Sequence, residues 1–215
     1  MTTPKVVNEL LERSNRLGSE PRFTNYAGGN TSAKGAVPNP ATGEVTTLLW
    51  VKGSGGDLGT LKESGLAALD LEKFKALKNV YRGIEFEDEM VALFDYCRFG
   101  SSGAAPSIDT AMHGLVPFDH VDHLHPDSII ALATSIDGEA LTRECFGDEI
   151  LWVDWRRPGF QLGLDMAKIA TENPKAKGCI LGGHGLTTWA TTSKECEKRS
   201  IAAITKAEEF IKAKG

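Results

Sequence analysis

The stretch "NTSAKGAVPNPATGEVTTLLWV", residues 30–51, sets two runs rich in small and β-branched residues on either side of "PNPATGE". Proline presets φ, asparagine folds back on its own backbone and glycine supplies φ > 0, so the segment reads as the turn of a hairpin with strands near 30–36 and 44–51. Hairpin strands pair antiparallel, which argues for a mixed or antiparallel sheet.

Upstream, Thr3 and Pro4 read as the N-cap and first position of an opening helix, with Val7, Leu10, Leu11 and Leu17 on one stripe and Gly18 closing it. Downstream, the second strand runs directly into the glycine-rich "KGSGGDLG" (52–59). "LDLEKFKALKNVYRG" (69–83) and "EFEDEMVALFDYCRFG" (85–100) space their apolar residues by three and four and end at glycine, as a helical pair does. "SIDTAMHGLV" (107–116) predicts a helix begun by Ser107. "HVDHLH" (120–125) follows as a strand, then helical patterns over 126–135 and 137–147, a strand at "EILWVDWR" (149–156) and a helix over 161–173. "GCILGGHGLTTWA" (178–190) reads as two short strands bent at glycine, and residues 192–215 as one long helix. This order predicts an α/β chain, a three-layer α/β/α arrangement with a mixed, largely antiparallel central sheet. At 215 residues a single domain over 1–215 is expected.

The 29 acidic and 24 basic residues leave a formal charge of −5 with no long run of one sign, which makes nucleic acid an unexpected partner. There is no apolar run of the ~18 residues needed to span a bilayer. The opening "MTTPKVVNELLERSNRLG" carries charges throughout, unlike a secretory leader, so a soluble cytoplasmic protein is expected. Four scattered cysteines without a C-x-x-C pair suit buried structural thiols in a reducing compartment.

Three of the five histidines fall within residues 120–125. Side chains alternate along a strand, so His123 and His125 share a face and can direct two imidazoles at one ion, while His120 points the other way and reads as structural. An isolated H-x-H is equally a hydrogen-bonded pair without a metal. A third ligand is needed for a catalytic zinc, and His184, between glycines at the bend of "LGGHGLTTWA", is the candidate. In "PSIDTAMH", Asp109 and His113 are four apart, on one helix face with Asp109 in the first turn. Beside a dication, Asp109 can exchange a proton with a carbon next to a polarised carbonyl; without one it is an ordinary helix carboxylate. The glycine turns "GGNTS" (28–32) and "KGSGGDLG" can offer backbone N–H groups to an anion, helped by Asn30, Ser54 and Lys52, or be plain turns. Neither fits a P-loop or a dinucleotide fingerprint.

Taken in order, "GGNTS", "VKGSGGDLG", "PSIDTAMH", "HVDHLHPDS" and "GGHGLTTWA" resemble the class II aldolase/adducin superfamily over nearly the whole chain. With "EDEMV" upstream, they look most like the aldolase domain of bifunctional rhamnulose-1-phosphate aldolase/dehydrogenase proteins. The resemblance implies a class II aldolase-like fold, with Zn2+ or another divalent transition metal on His123, His125 and His184. It also implies phosphate binding by Asn30, Ser54, Gly55 and Ser107, with Asp109 as the base. The implied reaction is retro-aldol cleavage of a ketose 1-phosphate to dihydroxyacetone phosphate and an aldehyde such as lactaldehyde. A pentulose-phosphate 4-epimerase, a thiosugar-phosphate dehydratase and a non-catalytic adducin-like module are the alternatives. The implied partners are a small sugar phosphate and further copies of the chain, a homotetramer.

The sequence also departs from the family pattern. Ile108 and Asp109 stand where simple sugar-phosphate aldolases carry a second serine and a glutamate. No tyrosine follows Tyr96, although several members use one near the C-terminus as proton donor. The dehydrogenase region of the bifunctional proteins is not among these residues, so a stand-alone relative or a piece of a larger protein is expected.

Overall fold

The structure, a computed structural model, describes residues 3–101 and 103–214. Strands β1 (Asn30–Pro38) and β2 (Val45–Lys52) form the expected hairpin. They are followed by β3 (Leu66–Asp70), β4 (His120–Leu124), β5 (Ile150–Val153), β6 (Gly178–Leu181) and β7 (Gly185–Ala190). The seven make one sheet in the order β3-β2-β1-β4-β7-β6-β5. Every neighbouring pair is antiparallel except β5 and β6. Parallel strands require a crossover, and helix α7 (Phe160–Glu172) lies between those two in sequence.

Helices cover both faces. On one face α1 (Lys5–Gly18), α5 (Asp127–Thr134), α6 (Gly138–Phe146) and α8 (Ser193–Lys214) enclose a core that takes Leu48 and Trp50 from β2. On the other, α2 (Leu71–Ala76), α3 (Glu87–Phe94), α4 (Thr110–Leu115) and α7 pack on the alternate residues Leu49 and Val51. This is the three-layer α/β/α arrangement, each strand dividing its side chains between the layers. All four cysteines are buried and free. Among the described residues no helix is long and apolar enough to cross a membrane.

Several local expectations need correction. Helix α1 begins at Lys5: Pro4 holds the N-cap position and its carbonyl accepts from Val7 and Asn8 N–H, while the Thr3 hydroxyl donates to Glu63 instead of capping. Strand β3, "LAALD", has no β-branched residue to signal it and is a strand because it pairs with β2. Of the two long helices read over 69–100, only Leu71–Ala76 and Glu87–Phe94 are α-helical, each continued by a 3₁₀ turn. Helix α4 begins at Thr110 rather than Ser107. Thr110 N–H donates to Ser107 O at 3.1 Å, so residues 107–109 are a turn, and Asp109 sits at the N-cap position without capping.

Behind β4 lies a buried polar cluster. Arg13 and Asp122, both fully buried, are 2.9 Å apart. The guanidinium also donates to Ser193 Oγ at 2.7 Å, to Ser32 O at 2.8 Å and to His120 Nδ1 at 3.0 Å, and Ser200 Oγ donates to the second Asp122 oxygen at 3.0 Å. Arginine only donates, so His120 accepts as a neutral ring, which fits its expected structural role. Removing one partner of such a pair leaves an unpaired buried charge. We expect Arg13→Met to cost about 3–5 kcal/mol in urea unfolding, and the double change Arg13→Met/Asp122→Leu to cost less than the single. A single-variant loss below ~1 kcal/mol would show that the pair does not anchor these elements.

Burial also pushes the His113 imidazole down to about 3, helped by the charges of Lys34 and Arg13, and His120 to about 4, helped by Arg13. Unfolded imidazoles titrate near ~6.5, so below that pH the unfolded chain binds more protons than the folded one. Stability is therefore expected to be full above this point and to fall as the pH drops toward 4 and 3. Urea midpoints at stepped pH check this, and His113→Gln should flatten part of the slope.

Candidate metal centre and its cavity

Strand β4 ends at Leu124, and the alternation that turns Asp122 toward Arg13 turns His123 to the opposite face. His184 comes from the turn between β6 and β7. That turn is fixed by Gly182 N–H to Val153 O at 2.8 Å and Gly183 N–H to Ala133 O at 2.7 Å, with Gly183 at φ +67°. Gly185 starts β7 against the histidine strand. A Cβ there would lie 2.7 Å from Leu124 O and 2.9 Å from His125 Cδ2, so only glycine lets β7 approach this closely.

The result is a cluster of His123, His125 and His184, the only group of this kind among the described residues. His123 Nε2 is 2.9 Å from His125 Nε2 and 3.3 Å from His184 Nε2. Three nitrogens at ~2.0–2.1 Å from a tetrahedral ion would be about 3.3–3.4 Å apart, so the spacing suits one shared metal. His123 Nδ1 faces Leu186 O at 3.0 Å and Thr187 Oγ1 at 3.1 Å. Donation to the carbonyl places the ring proton on Nδ1 and leaves the Nε2 lone pair aimed into the cluster, the usual outer support of a metal-bound imidazole. Burial is the main cause that holds all three rings below the ordinary histidine range: His123 well below, with its histidine neighbours adding to the effect, His125 at about 4 and His184 lowered. Neutral imidazoles are the form that binds metal.

Beside His125 opens a cavity of about 460 Å³, whose walls include Asn30, Lys52, Ser54, Gly55, Ser107 and Asp109. Asp109 Oδ2 accepts from Asn30 Nδ2 at 2.9 Å. Burial raises the Asp109 carboxyl above its ordinary range, against the opposing pull of His184, Lys52 and the Asn30 hydrogen bond. Lys52, only 3% exposed, has its ammonium destabilised by burial and is partly rescued by Asp109 and Asp57. Its ammonium donates to Asn30 Oδ1 at 3.3 Å. The fold thus brings the residues singled out from the sequence as ligand, base or anion contact together at one end of the central strands β1, β4 and β7 and the loops beside them. His113 does not join them. It is buried with Nδ1 2.8 Å from Ser32 Oγ, and shares no chemistry with Asp109.

Sequence reading underrated Lys52 and missed Thr187. Thr187 follows from pairing: register sets Asn30 opposite His123, and His123 opposite Thr187, in one row across β1, β4 and β7, while Lys52 reaches the cavity from the end of β2. A single strand pattern carries no such cross-strand information.

Residues 8–210 match the family described as Class II Aldolase and Adducin N-terminal domain, and the chain belongs to that family. It is 38% identical over 208 residues to the "Uncharacterized oxidoreductase YuxG" of Bacillus subtilis (strain 168), a match covering 97% of this chain and 30% of that protein. The chain therefore spans under a third of this relative's length. Among solved structures, the N-terminal class II aldolase domain of a conserved protein from Thermoplasma acidophilum superposes with a TM-score of 0.85 at 26% identity, covering 98% of this chain and 96% of that one. An L-fuculose 1-phosphate aldolase shares the fold, with a TM-score of 0.67 at 17% identity over 100% and 88% of the two chains.

Removing any one imidazole should abolish stoichiometric metal. We expect His123→Ala, after dialysis against a divalent metal and desalting, to retain well under one equivalent by elemental analysis. Thr187→Val keeps the Leu186 carbonyl as acceptor and should weaken affinity by about tenfold at most. A His123→Ala protein holding a full equivalent would refute the three-histidine centre.

Proposed function

We propose that the chain is a zinc-dependent sugar-phosphate aldolase that cleaves a ketose 1-phosphate of the rhamnulose 1-phosphate type into dihydroxyacetone phosphate and an aldehyde such as lactaldehyde. The observation that carries this reading is a three-imidazole cluster that meets, through His125, a cavity lined by the half-buried carboxylate of Asp109 and the buried Lys52. Family membership and the shared fold with an L-fuculose 1-phosphate aldolase support it. We further infer one class II aldolase-like domain over residues 1–215, acting as a homotetramer in the cytoplasm, on the family likeness alone.

His123, His125 and His184 would hold the ion, and nitrogen ligands suit zinc, with a fourth position left for substrate. When bound, such an ion supplies a Lewis acid that draws electron density from a carbonyl and its neighbouring hydroxyl. The chain's own residues do the rest. Asn30, Ser54, Gly55 and Ser107 bound the phosphate end of the cavity, and Lys52 supplies its positive charge. Gly55, at φ +73°, has nothing within 4 Å of where a side chain would begin, so an anion can approach its backbone. Ser54 offers its hydroxyl, its N–H being held by Ala105 O at 3.0 Å. Asp109 carries the proton. As the C3–C4 bond breaks, the C4 hydroxyl gives its proton to solvent and becomes the aldehyde carbonyl, the bonding pair stays on C3, and the Asp109 carboxyl delivers a proton to C3 and is reprotonated from solvent; in the condensation direction the Asp109 carboxylate removes that C3 proton. Burial suits it to both, because a carboxyl raised from its ordinary range holds a proton more readily and is a stronger base once ionised.

A panel of ketose 1-phosphates, assayed for release of dihydroxyacetone phosphate with and without added zinc, tests the reading. At least one member should be cleaved only by the zinc-loaded protein, and His184→Ala should lower that rate by three orders of magnitude or more, on the order of a lost Lewis acid. Cleavage of none, or full turnover by a His184→Ala protein with full zinc, would refute it. Identifying the products also separates cleavage from epimerisation and dehydration on the same site.

A further inference from the structure

At the end of β1 away from the histidines lies a second cavity, of about 540 Å³, lined by none of the metal-centre residues. Strand β4 pairs with β1 only over residues 30–33, and the connector before β4 adds one bond, Lys34 N–H to Asp119 O at 2.7 Å. Alternation turns the N–H of Ala36 to the same edge, where β4 no longer runs. This strip of β1, with Thr47 of β2 beside it, is the floor of the cavity. One wall is α2, through Leu71, Glu72 and Lys75; the other is the connector over residues 115–119 that leads from α4 to β4.

Lys34 stands in the floor and is only 9% exposed. Its ammonium donates to Val116 O and, at 2.9 Å, to Phe118 O, and among the described residues it makes no ion pair. Two neutral carbonyls satisfy hydrogen bonds but leave a buried charge uncompensated. The groups around it do not cancel that charge. From α2, Lys75 adds a second positive charge, and Glu72 is held by Lys75 at 3.0 Å. Asp119 is exposed at the rim, Arg13 is neutralised by Asp122, and burial favours the neutral rings of His113 and His120. Burial, and then Lys75, push the Lys34 ammonium down to about 7, against the pull of Asp119.

An anion is the partner this ammonium lacks, and the walls restrict its kind. Two carbonyl oxygens already sit on Lys34, with Glu72 and Asp119 at the rim, so a second negative charge is disfavoured. A carboxylate has two oxygens, one for the remaining N–H of Lys34 and one for the N–H of Ala36. Beyond them Leu71, Leu115 and Phe118 offer apolar surface. We propose that this cavity is a binding site for a small monocarboxylate with an apolar body, held by the Lys34 ammonium and the Ala36 N–H. The site is independent of the aldolase reading.

The probe is hexanoate, titrated by calorimetry into the metal-loaded protein at pH 7.5 in two buffers of different ionisation heat. Above about 7 the Lys34 amine is mostly unprotonated, and a bound carboxylate raises its proton affinity, so binding should take up about half a proton. Wild type should bind with a Kd on the order of 1 mM or tighter. Lys34→Met should weaken binding by about tenfold or more and abolish the proton uptake. Because that change also strips two carbonyls of their donor, Ala36→Phe is the second variant. It fills the cavity, leaves the Lys34 bonds in place, and should weaken binding as much with its melting temperature unchanged. Hexanamide, which has the shape without the charge, should bind wild type about tenfold more weakly or less. Equal hexanoate affinity in wild type and both variants would place the ligand on the metal or elsewhere and overturn the inference. So would a wild-type Kd weaker than about 10 mM, or binding without proton uptake.

Discussion

The guanidinium of Arg13 lies fully buried where α1, β1, β4 and α8 meet, and it can stay charged there only because Asp122, Ser193, Ser32 and His120 receive its donors. An ion pair of this kind contributes little net stability compared with a well-packed apolar cluster, but it tolerates few alternative arrangements. Strand β4 is held by it from behind. With strand period 2, fixing Asp122 toward the guanidinium leaves His123 no choice but to face the other layer, and His125 follows one residue past the strand end. A slip of one residue would bury His123 against Arg13 and turn the carboxylate toward the ligand cluster. The histidine cluster thus depends on an interaction on the opposite side of the sheet.

Much of this was legible in local sequence. The hairpin over 30–51 needed only turn chemistry, and the facing of His120 against His123 and His125 needed only the alternation of "HVDHLH". The bend at 182–184 followed from its glycines. What stayed hidden depends on partners distant in sequence. β3 is built of leucine and alanine, with propensity for a helix, and becomes a strand because β2 offers an unpaired edge. The turn at 107–109 looks like a helix start because Ser107 is a good cap and Asp109 a good first-turn residue, yet Asn30, 79 residues away, claims the Asp109 carboxylate. Lys52 reads as one helper of an anion-binding turn, and only the fold shows it buried in the wall of the cavity and close to Asp109.

The row Asn30, His123, Thr187 across three strands shows how an antiparallel sheet assembles chemistry from separate segments. Each member takes a different part: one donates to the proposed base, one can ligate, one supports the ligand ring. Because the three are cross-strand neighbours, their separations are set by ladder hydrogen bonds and not by loop conformation. The loop residues Ser54, Gly55 and Ser107 complete the cavity from outside the sheet, where backbone can yield to a ligand of varying shape.

The charge of the cavity runs against that of the protein. The chain carries a formal −5, yet of the two carboxylates that act on Lys52, Asp109 and Asp57, the one lining the cavity, Asp109, has its ionisation disfavoured by burial. Burial likewise disfavours the charged form of the three clustered imidazoles. A divalent ion on them would make the pocket strongly positive, in a place where low-dielectric walls concentrate the field. With such an ion in place the recess would attract an anion despite the acidic exterior, a local charge that the net charge does not report. The same burial that lowers the imidazoles, and so readies them for a metal, raises Asp109, and so readies it to carry a proton. A single physical cause, exclusion of water at the end of β4, prepares both halves of the proposed chemistry.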